Sequence, residues 1–281
     1  MIFDTHCHIQ FKGFKDNFEE VLKRCQEKKV IMNAVGTQKD TSRAAVELAE
    51  KNSNVYATIG LHPVHLFPTH IDEEESSFVS REEDFDEKYY TDLAQNSKVV
   101  GIGECGLDFY HLPTNVDKEI VVAKQKSVFL KQLKLAQQLN KTLVIHVREA
   151  HKEMIDLLQE NIKPNSLRGV VHCYTGDWLS AKKYLDLGLF IGLTGVITFP
   201  AKKLKPQPTL DILEVVEKTP LEKIVIETDS PYLAPQAYRG QKCEPWMVEE
   251  VAKKIAEVRN LTLEEVLSLT TNNAQKLFNL I

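Results

Sequence analysis

Met1-Ile2-Phe3-Asp4-Thr5-His6-Cys7-His8 opens the chain: a short apolar run that breaks into two histidines separated by one residue. In an extended strand, side chains two apart share a face, so His6 and His8 present both imidazoles to one point in space. A pair of imidazoles held on a stiff strand is a chelating arrangement for zinc and its neighbours. Two half-buried histidines satisfied by backbone carbonyls would carry the same spacing. The choice turns on whether further ligand types stand at the ends of other strands.

Outward from that first strand, the sequence alternates short β-like runs with longer helical ones. Residues 16–28 place Phe18, Val21, Leu22 and Cys25 at helical spacing, and Val30 to Gly36 reads as a second strand. Helical 41–51 leads to strand three, Val55 to Gly60. A helix over 87–95 precedes strand four, Val99 to Glu104, and a long amphipathic helix over 118–140 leads to strand five, Thr142 to His146. Helix 149–159, strand six (Gly169 to His172), helix 180–187, strand seven (Leu189 to Leu193), helix 209–218 and strand eight (Lys223 to Asp229) complete the series. Eight strands with crossover helices predict an α/β fold with a (β/α)8 barrel, a doubly wound open sheet being the alternative. Three helical segments follow, 244–259, 262–269 and 271–280, the second opening on a capping-box pair, Thr262 and Glu265.

No Pro/Gly/Ser-rich linker divides the 281 residues, so 1–281 is expected to form a single domain. The five cysteines are odd in number and show no C-x-x-C pair, which indicates neither a disulfide framework nor a zinc ribbon and points to a reducing, cytoplasmic setting. The first strand leaves no room for a signal peptide, and no apolar stretch approaches the ~20 residues of a membrane span. The net charge of −5 offers no blanket of positive potential to duplex DNA. It is unevenly placed: residues 72–92 carry ten acidic groups against Arg81 and Lys88, a net −8 that leaves +3 for the remainder. This acidic insertion after strand three reads as a solvated loop, or as a rim that repels long nucleic acid and favours ends and short single strands.

The chemistry lies where polar residues interrupt the strand ends. His6 and His8 stand at the end of strand one, His62 beyond three, Glu104 at four, His146 at five, His172 at six and Asp229 at eight. In a barrel these ends converge on one mouth, where such folds carry their active sites. Imidazoles and carboxylates in that number suit two divalent ions, with one carboxylate free to bridge. Without cations they would be imperfectly paired in a partly dry cavity.

In order and spacing, His6-Cys7-His8, GIGECGLDFY around Glu104, VIHVREA around His146, VVHCYTG around His172 and IETDSPYLAP around Asp229 resemble the TatD family of metal-dependent deoxyribonucleases. The resemblance runs from Met1 to the terminal TTNNAQKLFNL. It implies a barrel related to the amidohydrolases, with His6, His8 and Asp229 on one ion, His146 and His172 on a second, and Glu104 shared. Asp229 would also take the proton of the attacking water, so Asp229 and Glu104 are the expected catalytic pair. The implied cofactor is two divalent ions per chain (Mg, Mn or Zn), and the implied reaction is phosphodiester hydrolysis of DNA, with 3'-5' exonuclease action.

Expected substrate contacts are less specific. Arg148, two residues past His146, could clamp a phosphate or pair with Glu149 or Glu153. His62, in GLHP, could touch substrate or cap a turn. Tyr174 could stack on a base, and Arg239 lies in a loop resembling the family's. Cys243 stands where the family commonly has Asn. The rival reading is an amidohydrolase acting on a small cyclic amide or ester. Such enzymes often bridge their metals with a modified lysine on strand four, where this chain has Glu104. No membrane contact and no obligate protein partner is expected.

Overall fold

All eight apolar runs form strands, and every neighbouring pair is parallel: β1 (Ile2–Cys7), β2 (Val30–Val35), β3 (Val55–Ile59), β4 (Val99–Asp108), β5 (Thr142–Arg148), β6 (Gly169–Val171), β7 (Phe190–Leu193) and β8 (Ile224–Ile226), in that spatial order. Between them run α1 (Phe18–Glu27), α2 (Lys39–Lys51), α3 (Glu87–Leu93), α4 (Lys118–Gln138), α5 (His151–Asn161), α6 (Trp178–Asp186) and α7 (Pro208–Lys218). The computed structural model describes residues 1–68, 82–200 and 208–281, without the side chains of 208–211. It is a single (β/α)8 barrel.

Closure is made at the seam between β1 and β8. Cys7 and Ser230 form a parallel bridge, the His8 N–H donates to the Ser230 carbonyl at 2.7 Å, and the Asp229 N–H donates to the His6 carbonyl at 2.8 Å. Below that, side chains take over. The buried Asp4 carboxylate accepts from the Thr228 N–H at 2.9 Å and the Thr228 hydroxyl at 2.6 Å, and the Thr5 hydroxyl donates to the Ile226 carbonyl at 3.2 Å. Register slips fall between Asp4 and Cys7 on β1 and between Ile102 and Cys105 on β4. Such irregularities re-aim side chains, and here they flank His6 and Glu104.

The amino-terminal end of the barrel is filled by one residue from each of five strands, Phe3, Val100, Val144, Val170 and Val225. Of the C-terminal helices, α8 (Val248–Arg259) packs into the main core and α9 (Leu263–Leu277) closes over this end, with Ala274, Leu277 and Phe278 packed onto that layer. The two expected terminal segments are one helix. Nothing between 262 and 277 breaks it, and Thr270 returns its hydroxyl to the Val266 carbonyl at 2.8 Å, a bond that a helical turn accommodates. The capping box forms as expected, with Thr262 and Glu265 exchanging bonds of 2.8 and 3.2 Å.

Residues 69–81, the centre of the acidic insertion, lie outside the described residues. Its described end is tied down rather than merely solvated: Glu82 pairs with Lys124 at 2.5 Å, and Asp86 with Lys39 at 3.2 Å. Among the described residues, no helix is long and apolar enough to cross a membrane.

Phe278, 3% exposed and tilted against Phe3 with ring centroids 5.7 Å apart, carries much of the lower plug. Phe278→Ala is expected to destabilise the barrel by about 3–5 kcal/mol. Urea unfolding measures the difference, and an unchanged midpoint would mean that the plug contributes nothing.

Candidate metal centre

The strand ends bring the sequence-predicted groups together. His6 and His8 share a face of β1, their Nε2 atoms 3.3 Å apart. Asp229 Oδ1 stands 3.6 Å from His6 Nε2 and 3.3 Å from His8 Nε2, and Glu104 Oε2 stands 3.3 and 3.7 Å from the same atoms. The other oxygen of Glu104 looks the opposite way: Oε1 is 2.9 Å from His146 Nδ1 and 2.7 Å from His172 Nε2, which are 3.2 Å from each other. Four ligands on bonds of about 2.1 Å around a tetrahedral ion are about 3.4 Å apart. The first set matches that edge length and the second is tighter, at 2.7 to 3.2 Å; the donors are the nitrogen and oxygen types that divalent ions take, so the residues fit the group.

Partners outside the cluster set which nitrogen of His8 and of His146 faces inward. His8 Nδ1 lies 2.8 Å from the Val35 carbonyl, which can only accept, so its proton sits there and the lone pair of Nε2 turns to the site. His146 Nε2 lies 3.3 Å from the Asp108 carboxylate, which leaves Nδ1 for the cluster. Behind His172, Nδ1 is 3.8 Å from Glu227 Oε1. Ligand histidines braced by carboxylates or carbonyls hold their orientation without reordering.

Asp4, Asp108 and Glu227 are functional neighbours that the sequence reading passed over. Each stands at the even spacing from a predicted ligand that a continuing strand would place on one face: Asp4 two before His6, Asp108 four past Glu104, and Glu227 two before Asp229. Asp108 became visible only because β4 runs past its expected end at Glu104. Glu227 is fully buried and fits because Gly192 leaves room; a Cβ there would lie 2.6 Å from both carboxylate oxygens. Two buried glutamines two turns apart on one face of α4 act as substitute strands: Gln132 bonds both the N–H and the carbonyl of Leu61 at 2.9 Å, and Gln125 does the same for Asp108 at 3.0 and 2.9 Å.

The centre lies at the base of a cavity of about 500 Å³ whose wall includes His62, Arg148, His111, Phe11, Val196, Tyr232 and Leu233. His62 and Arg148 therefore reach the wall as expected, and Arg148 lies over the exposed Tyr110 ring, 4.1 Å from its centroid. Tyr174 does not reach it. The chain turns at Cys173, in the left-handed region at φ 44°, which breaks the strand alternation. The Tyr174 ring is 2% exposed, packs against His151 and Tyr184, and donates its hydroxyl to the Asp177 carbonyl at 2.6 Å. It is a core residue, and a stacking role is withdrawn. Arg239 is exposed over Phe199, 4.5 Å from its centroid, and is not part of the cavity wall.

The family described as TatD related DNase matches residues 3–279. The chain belongs to that family. It is 35% identical, over the whole of both chains, to the uncharacterized metal-dependent hydrolase YabD of Bacillus subtilis. It is 30% identical to YcfH of Escherichia coli K12, of the same description, covering 99% of this chain and 95% of that one. Among solved structures, the TatD homologue YJJV of Escherichia coli K12 aligns with a TM-score of 0.80 at 28% identity, over 99% of this chain and 98% of the other. A TatD family hydrolase from Entamoeba histolytica, at 21% identity and a TM-score of 0.76, shares the fold. This TatD-family chain is a metal-dependent hydrolase.

Charges in the TatD centre are strongly coupled. Burial opposes ionisation of Glu104, but His172, His62 and His6 around it hold its carboxyl well below the usual range. Burial likewise works against a charge on His8, yet the hydrogen bond and charge of Asp229, with Glu104, carry it up to about 9. His146 is carried to about 9 against burial by Asp108 and Glu104. Burial, and the facing imidazoles of His172 and His146 respectively, press His6 and His62 down to about 4. A cation taking the His8 and His146 nitrogens must therefore displace protons. Because the binding form is the deprotonated one, apparent affinity for a divalent cation should rise from neutral pH towards about 9 and level beyond it. Calorimetry in buffers of differing ionisation enthalpy measures the protons released; affinity independent of pH, with no release, would contradict it.

Proposed function

We propose that this chain hydrolyses phosphodiester bonds of DNA, releasing nucleotides from a 3' end, with His6, His8 and Asp229 on one divalent ion, His146 and His172 on another, and Glu104 shared. The observation that carries this reading is the division of Glu104: its two oxygens face two separate histidine pairs at distances of 3.3 and 3.7 Å on one side and 2.9 and 2.7 Å on the other. When bound, such a pair of cations supplies positive charge at the attacked phosphate and lowers the pKa of a water molecule. The imidazole-rich donor set favours Zn or Mn over Mg.

The chain's own groups do the rest. Against burial, the hydrogen bond from His8 and the surrounding imidazoles hold the Asp229 carboxyl below its usual range, so it stays ionised and able to accept the proton of the attacking water. Its side chain is 16% exposed, against 5% for Glu104, so it is the more open of the two to the cavity. Arg148 offers a planar fork to phosphate oxygens at the rim. Phe11, Val196, Tyr232 and Leu233 give the wall apolar surface that limits water around the reacting atoms. A half-open cavity of about 500 Å³ admits a terminal nucleotide more readily than a run of duplex, which supports action on ends and single strands.

End-labelled single- and double-stranded DNA and RNA, tested with chelator and with a metal series, should show metal-dependent shortening of DNA from the 3' end. Cleavage of amides or lactones with no cleavage of DNA would give the site to amidohydrolase chemistry instead. Asp229→Asn should keep the folded spectrum and lose about 100- to 10,000-fold in rate. Wild-type turnover in that variant would remove Asp229 from its role as base.

A further inference from the structure

Among the described residues, three groups of side chains around the centre have metal-binding spacing, and one of them is His62, Glu104 and His146. His62 Nε2 stands 3.3 Å from Glu104 Oε1, as near as several of the other imidazoles, and its ring meets His146 edge-on with centroids 4.2 Å apart. Distance alone would make His62 a further ligand. The other nitrogen of the ring argues otherwise.

His62 is the N-cap of the 3-10 turn Pro63–Leu66, and its Nδ1 accepts the Val64 N–H at 3.2 Å. A backbone N–H can only donate, so Nδ1 carries a lone pair. An imidazole with an unprotonated Nδ1 bears its proton on Nε2, the atom facing Glu104. An imidazolium would set two N–H groups against each other at the cap. Flipping the ring would forfeit the bond at Nδ1 and carry Nε2 away from Glu104, so the Val64 N–H settles its orientation. His8 shows the opposite pattern, its Nδ1 on a carbonyl and its Nε2 free to ligate.

We propose that His62 is a positioning residue and not a metal ligand: a neutral imidazole locked as the Nε2–H tautomer, donating to the Glu104 oxygen that also faces His146 and His172. The inference rests on the reading of Glu104 as the shared ligand and adds what keeps that carboxylate from rotating. Its support is rigid. The His62 N–H donates to the Thr37 carbonyl at 2.7 Å, Gln132 clamps both polar backbone atoms of Leu61, and Pro63 follows directly. A carboxylate oxygen has lone pairs enough to hold an ion and accept this N–H together. Fixing Glu104 from outside would keep each of its oxygens aimed at its own histidine pair.

Long-range proton–nitrogen correlation spectra of the histidine-labelled, zinc-loaded protein test the tautomer, with His62→Gln identifying the signal. The expected spectrum shows a protonated Nε2 and an unprotonated Nδ1; a zinc-bound Nε2 or a protonated Nδ1 overturns the proposal. Chelator competition gives a second readout, with His146→Ala as the reference for loss of a ligand. His62→Leu should retain two ions per chain while the more weakly held one loses about 10- to 100-fold in affinity. His62→Gln, whose amide carries an N–H of similar reach, should recover most of it. A drop to one ion in His62→Leu, as in His146→Ala, would make His62 a ligand, and unchanged affinity would deny it any positioning role. Neither readout uses DNA cleavage, so the nuclease reading can fail while this one stands. A wild-type protein that takes up no pair of ions would remove the shared carboxylate on which it rests.

Discussion

Asp4, with no solvent exposure, accepts both the backbone and the hydroxyl protons of Thr228 across the seam where the first strand meets the last. Everything at the mouth depends on this closure. A barrel left open between β1 and β8 would separate His6 and His8 from Asp229 by the width of the sheet, and half of the centre would be gone. Burial pushes the Asp4 carboxyl well up against the hydrogen bonds from Thr228 and His6; such bonds contribute roughly 0.5–1.5 kcal/mol each, and leaving a buried polar group unpaired costs roughly 1–3 kcal/mol. The seam therefore ties the barrel's integrity to the geometry of the site: Thr228 is held from below while its neighbour Asp229 is set, at φ 59°, into the left-handed region and bonded to the His6 carbonyl.

Around the mouth a division of labour follows. Inner groups supply lone pairs and charge, and outer groups decide how those are presented. The Val35 carbonyl and the Asp108 carboxylate each take one imidazole proton, which leaves a lone pair pointing inward from His8 and His146. Val64 does the reverse for His62, and the same residue type becomes a donor. Glu227, pushed up to about 7 by burial although Cys173, Thr5 and His172 surround it, sits behind His172 without joining the cluster. One residue type thus serves several purposes in a space of a few ångströms, and the backbone partner selects which.

A good part of this was legible in the residues. Period-two spacing makes His6-x-His8 a chelating pair on any strand, and polar residues terminating apolar runs marked Glu104, His146, His172 and Asp229. Short continuous apolar runs and helical spacing marked eight strand-and-helix units, since each strand is buried on both faces. These are local consequences of side-chain direction, and the chain carries them wherever it folds.

Other features belong to the fold alone. Whether a strand continues past its last apolar residue depends on its neighbour: β4 reaches Asp108 because β5 pairs with it as far as Arg148, whereas β6 stops at Val171 and the turn at Cys173 sends Tyr174 into the core. Tautomers are invisible in a sequence, because a histidine's proton goes to whichever nitrogen meets an acceptor, and that acceptor lies on another strand or loop. Residue spacing along one strand determined which groups could meet. Only the closed barrel decided which nitrogen each one offers, because that is a property of contacts between segments far apart in the chain.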